Sequence, residues 1–119
     1  MKNSPTSPLM EEVIASVLAY FSANEGPINK ADIISRNRTA YVSRVRSAVM
    51  FYLHQFMDLS SVQIGLALER DHTTVLHGIR TFNDKGALVD LIPMHEYVQA
   101  RVIKFRQERQ AELMSELAS

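Results

Sequence analysis

The chain has no cysteine, no net charge and no long apolar run; 13 lysines and arginines are balanced by 13 aspartates and glutamates. Without cysteine there can be no disulfide and no thiolate metal site, which fits a reducing cytoplasm. No apolar stretch approaches the ~20 residues that a membrane span needs. Met1 to Pro8 is polar, with Ser and Pro in place of an apolar signal stretch. A cytoplasmic protein with no membrane partner is the expectation. Zero net charge removes whole-molecule attraction to phosphate. No G-x-x-x-x-G-K-[ST] loop occurs in the 119 residues, so no nucleotide and no cofactor are expected.

What is present is helical periodicity. At 119 residues and 46% hydrophobic, the chain is about one domain with enough apolar side chains for a core. Pro8 starts a first helix whose Met10, Val13, Ile14, Val17, Leu18 and Phe21 recur at one-face spacing. Asn24-Glu25-Gly26-Pro27 ends it. Asn29 is a candidate cap for a short helix over Lys30 to Ile34, and Thr39 for a long one reaching about Phe56. Ser60 opens a short helix expected to bury Val62, Ile64, Leu66 and Leu68. Asp71 caps another, His72 to about Asn83, with Val75, Leu76, Ile79 and Phe82 as its apolar stripe. Gly86 and Pro93 bracket a connector before a last helix over about Met94 to Leu117. The fold class is therefore all-α, about six helices. Its expected parts are a flexible 1–9, a domain over 10–105 and a polar helical extension over 106–119.

Two short helices joined by a turn, Ser60 to Leu68 and Asp71 to Asn83, match helix-turn-helix spacing. The second begins Asp71-His72-Thr73-Thr74, short polar groups ahead of an apolar stripe, the split a major-groove helix needs. Its open N–H groups also favour phosphate. Charge distribution supports the same reading. From Ser35 to Phe82 six arginines face three acids, an excess of +3, and Arg36, Arg38, Arg44 and Arg46 fall within eleven residues without an acid.

Arg70-Asp71-His72-Thr73-Thr74-Val75-Leu76-His77 resembles the signature of the C-terminal duplex-binding domain of the bacterial replication initiator DnaA. The likeness extends to Ser35-Arg36-Asn37-Arg38 with Val42, Arg44, Arg46 and Leu53, to Ser60 to Gly65, and to the two-helix lead-in over Val13 to Arg36. It covers roughly Met10 to Phe105. It implies a free-standing DNA-binding domain, nucleoid-associated, without the initiator's ATPase module and not an enzyme. Double-stranded DNA is the implied partner. Arg38 would enter the minor groove, and Asp71, His72 and Thr73 would read major-groove bases. Arg36, Arg44, Arg46, Ser61, Val62, Arg70 and Thr74 would hold phosphates. The implied role is sequence-specific regulation of transcription or replication initiation.

Some positions depart from the family pattern. His54 stands for a usual lysine, Ser47 for a glutamine, and Leu68-Glu69 for a Gly-Gly in a turn one residue shorter. Without glycine that turn is expected to use ordinary φ values, and Glu69 brings a negative charge near the phosphates. Other readings stand beside this one. The arginine run also fits a solvated face, and the neutral charge fits a protein-interaction module that kept the fold. A protein that coats duplex without sequence preference is a third reading. His72 and His77 are five apart with no acidic partner at ligand spacing, so no metal is expected. Ser43, His72 and Asp71 lack a nucleophile elbow. His54 and His95 read as surface residues, and the methionines as core. The amphipathic end of the last helix fits either a solvated helix or a homodimer seam.

Overall fold

The computed structural model describes residues 6–84 and 88–118, which form six α-helices. α1 (Pro8–Asn24) starts at Ser7, whose Oγ accepts the Met10 N–H at 3.1 Å, with Pro8 at its first position. α2 (Lys30–Ile34) opens on a reciprocal capping box. The Asn29 side chain accepts from the Asp32 N–H at 3.0 Å, and the Asp32 carboxylate accepts from the Asn29 N–H at 2.8 Å. Thr39 caps α3 (Ala40–Met57), which ends at Asp58 in the left-handed region. Ser60 and Gln63 form a second capping box on α4 (Ser61–Leu68), and α5 (His72–Asp84) and α6 (Leu88–Ala118) follow.

α3 is the central element. It packs mainly on α5 and α1 and more lightly on α2 and α4, while α6 lies along α1. Val45, Val49 and Leu53 of α3 are fully buried with Val17 of α1, Ile64 and Leu68 of α4, and Met94 and Val98 of α6. This arrangement leaves the start of α5 and the 35–39 segment on the surface, both anchored to α3. No helix among the described residues is long and apolar enough to cross a membrane.

Four expectations are corrected by the fold. Val62 and Leu66 of α4 are 56% and 63% exposed, and the buried residues are Ile64, Gly65, Ala67 and Leu68. Two residues along a helix turn it by about 200°, so Val62 and Leu66 share the face opposite Ile64. Leu76 is 41% exposed, because Val75, Gly78 and Phe82 fill the contact of α5 with α3. Pro93 is no boundary. It lies within α6, exposed, while Leu91 beside it packs on the core and Met94 is buried. Gly86 lies outside the described residues. His95 is not a free surface group either: its ring stacks on Phe56 at 4.1 Å and its Nδ1 sits 2.8 Å from the Tyr52 hydroxyl. That hydroxyl also accepts from Gln99 Nε2 at 3.2 Å, tying α6 to α3, and burial raises its pKa. His54 is exposed, with Nδ1 3.0 Å from the Leu59 carbonyl.

Candidate nucleic-acid interface

α4 and α5 meet through a turn of only three residues, Glu69, Arg70 and Asp71. Glu69 closes α4 with φ 56°, ψ 48°. The expectation of ordinary φ values is therefore overturned. The Arg70 N–H must return to the Gly65 carbonyl (2.9 Å), and that geometry requires the left-handed region whatever the side chain. Gly65 serves the same closure. A Cβ there would overlap the Arg70 carbonyl oxygen, so the turn crosses α4 where no side chain stands.

The start of α5 is polar and open. Asp71 supplies the first carbonyl, accepting the Val75 N–H at 3.1 Å, and its carboxylate accepts the Thr73 hydroxyl at 2.5 Å. Its other oxygen lies 3.3 Å from His72 Nδ1. The Thr73 hydroxyl, with help from His72, holds the Asp71 carboxyl below its ordinary pKa. Asp71, His72, Thr73 and Thr74 are all exposed.

The 35–39 segment lies across an open groove from this helix end. Ile34, Arg36, Asn37, Arg38, Ser43, Arg46, Glu69, Arg70, Asp71 and Thr74 line a depression of about 640 Å³ between them. Two arginines fix its floor. Arg46 donates from Nε to the Ile33 carbonyl at 2.7 Å, and from Nη2 to the Ser35 and Asn37 carbonyls at 3.1 and 3.0 Å. Arg70 donates to the carbonyls of Ile34 (2.7 Å), Ile33 (3.4 Å) and Ser35. Burial, with Arg70 as a like-charged neighbour, lowers the Arg46 pKa, yet a guanidinium stays charged at neutral pH. The Asn37 side chain accepts from the Thr39 N–H at 2.8 Å, and the Ser35 Oγ from the Asn37 N–H at 3.2 Å. Arg36 and Arg38 project from this braced segment, exposed.

The expected contact residues thus fall into four sets. Arg36, Arg38, Asp71 and Thr74 line the groove, with Arg46 at its base, and His72 and Thr73 are exposed on the first turn of α5 beside it without lining it. Arg70 lines the groove but directs its guanidinium inward at carbonyls. Arg44 is placed elsewhere, paired with Glu25 at 2.5 and 2.9 Å and lying over the Tyr41 ring. Ser61 and Val62 lie outside the groove. In their helix the Gln63 N–H goes to Ser60 Oγ and the Ile64 N–H to the Ser60 carbonyl, leaving the N–H groups of Ser61 and Val62 as open first-turn donors.

Sequence reasoning passed over Asn37 and Ser43 in the groove, and the exposed side of α5 beyond its first turn. His77 and Arg80 lie four and seven residues after Thr73 and are exposed with it, a spacing that was available as a signal.

The model for the bacterial DnaA helix-turn-helix matches residues 10–81. The chain belongs to this family. It is 32% identical over 89 residues to the chromosomal replication initiator protein DnaA of Desulfotalea psychrophila, covering 69% of this chain and 19% of that protein. It is 30% identical over 76 residues to DnaA of Jannaschia sp., covering 63% of this chain and 15% of that protein. With DnaA of Aquifex aeolicus it shares 32% over 69 residues, 57% of this chain and 17% of that protein. The chain spans less than a fifth of the length of these relatives. The family match takes in α1 to α4 and most of α5, so the groove falls wholly within it, and α6 lies beyond it.

Proposed function

We propose that the chain is a sequence-specific duplex-DNA-binding protein of DnaA type, acting in replication initiation or in transcriptional regulation, and that it is not an enzyme. α5 enters the major groove by its N-terminal end. The Asp71 carboxylate accepts from a cytosine amino group, the Thr73 methyl packs on a thymine methyl, and His72 reaches a neighbouring base. Arg38 enters the adjacent minor groove, where narrow A·T-rich stretches favour arginine. Arg36, Thr74, Arg46 and the first-turn N–H groups of Ser61 and Val62 hold phosphates and set the register. Arg70 and Arg44 act indirectly, Arg70 by bracing the loop.

The observation that carries this reading is the bracing of the 33–37 backbone by Arg46 and Arg70. A minor-groove arginine and a major-groove helix read adjacent bases only if their separation is fixed before binding. Here the minor-groove loop and the turn that starts α5 share one set of hydrogen bonds. Duplex DNA is the partner, and a homodimer through the C-terminal helix would engage two half-sites a helical turn or more apart.

Selection of bound duplexes from a random pool, repeated at several salt concentrations, tests the proposal. Enrichment of one short motif with salt-sensitive affinity supports it. Salt-sensitive binding without a motif would mean a coating protein, and no binding would mean a protein-interaction module.

A further inference from the structure

α6 is 31 residues long, about 46 Å at 1.5 Å per residue, against a longest molecular extent of 50 Å. From residue 91 on, its buried positions are Met94, Val98 and Val102; beyond these only Phe105 is half-buried and every other residue to Ala118 is exposed. This outer stretch is not uniformly polar. Ile103, Leu113, Met114 and Leu117 are between 55% and 81% exposed. Ile103, Gln110 and Leu117 recur at sevens, with Leu113 three residues after Gln110 and Arg106 at the equivalent place after Ile103, a short seam at helix-pairing spacing with one charged position. Its charges are segregated along the axis. Lys104, Arg106 and Arg109 precede Gln110, while Glu112 and Glu116 follow it, with Glu108 the one exception.

We propose that the 103–118 stretch of α6 pairs antiparallel with the same stretch of a second copy, on a two-fold axis at Gln110. The charge order decides the direction. Side-by-side parallel pairing would set the three cations against their own counterparts. Antiparallel pairing about Gln110 sets Lys104 of each helix opposite Glu116 of the other and the basic half against the acidic half, with Glu108 opposite Glu112 as the one like-charged match. It also brings Ile103 and Leu117 of opposite chains together at both ends and the two Gln110 amides together at the centre, where a polar pair fixes register. Such a two-fold contact is self-complementary and closed, so it yields dimers and not filaments. Four apolar side chains per chain make a small interface, so the dimer is weak and concentration-dependent. This inference rests on the homodimer reading above and is independent of DNA.

The absence of native cysteine makes crosslinking direct. Ile103→Cys and Leu117→Cys, both at exposed positions, are made in the full chain and oxidised separately and mixed, with sedimentation of the unmodified chain up to about 1 mM alongside. Circular dichroism confirms that each variant keeps its helices. The expected result is a disulfide-linked dimer in the mixture, little in either variant alone, and a dimer population that grows with concentration. Leu113→Glu with Leu117→Glu should weaken that dimer about tenfold or more. Crosslinking of each variant only with itself would overturn the antiparallel register while leaving a homodimer. A monomer at every concentration with no crosslink would overturn both.

Discussion

Arg46 of α3 and Arg70 of the interhelical turn donate to the same two carbonyl oxygens, those of Ile33 and Ser35. The C-terminal end of α2 has unsatisfied carbonyls and the polar segment after it has no helix of its own. Two planar guanidiniums, each with several donors in a fixed fork, supply what the backbone lacks. The basic charge of this region is therefore divided between bracing the 33–37 segment, by Arg46 and Arg70, and projecting from it, by Arg36 and Arg38.

That division separates two arginine variants. Arg70→Ala should lower folding stability by about 1.5–3 kcal/mol, because charge-assisted bonds to several carbonyls are lost, and should weaken DNA binding with it. Arg38→Ala should leave stability within about 0.5 kcal/mol and still lose ~1–3 kcal/mol of binding. Chemical denaturation and duplex titration on the same preparations check both.

Glu69 holds a left-handed φ of 56° and lines the groove with a negative charge. Glu69→Gly should raise stability by about 1 kcal/mol by removing the Cβ penalty, and should tighten DNA binding. Glu69→Gln should tighten binding with little change in stability, since it removes charge and keeps the Cβ. Comparing the two separates strain from electrostatics.

The buried glycines of α4 and α5 should respond differently. At Gly65 a methyl meets the Arg70 carbonyl, which the turn holds in place, so Gly65→Ala should cost about 1–3 kcal/mol. At Gly78 the nearest atom is the Met50 sulfur, the end of a side chain with alternative rotamers. Helix propensity favours alanine there by ~1 kcal/mol, so Gly78→Ala should be close to neutral by thermal denaturation.

Acid should act through three depressed carboxylates, the exposed Asp71 and the ion-paired Glu11 and Glu25. Burial raises the Glu11 pKa, but the Thr6 hydroxyl and Lys30 more than offset it, and Arg44 lowers that of Glu25. A depressed folded-state pKa gives stability that is complete above the unfolded value, about 4.3, and is lost as pH falls through the folded value. Stability should be level from neutral pH to about 5 and decline below. Both pairs are partly exposed, so each is worth about 1 kcal/mol at most. Glu11→Gln with Glu25→Gln should flatten the acid decline, read by denaturation midpoints across pH.

Much of this molecule is legible in its sequence because local chemistry decides it. Asn29, Thr39 and Ser60 cap helices where a short oxygen-bearing side chain precedes an apolar-periodic run. Met10, Val13, Ile14, Val17, Leu18 and Phe21 are buried because their spacing admits only one face. What escaped the reading depends on contacts distant in sequence. An eight-residue helix is too short for its pattern to tell Ile64's face from that of Val62 and Leu66. Pro93 passes for a boundary until the packing of Leu91 and Met94 carries the helix through it. The inward turn of Arg70 depends on carbonyls more than thirty residues away. An arginine beside a recognition helix reads as a phosphate ligand until its partners are seen.

The central claim is that Arg38 of the braced loop and Thr73 on the first turn of α5 read adjacent bases of one duplex. The most direct measurement is titration of the unmodified chain, Arg38→Ala and Thr73→Ala against a duplex selected from the random pool and against a scrambled duplex. The account predicts that each variant loses ~1–3 kcal/mol on the selected duplex and much less on the scrambled one. Equal affinity of all three proteins for the selected duplex would contradict it.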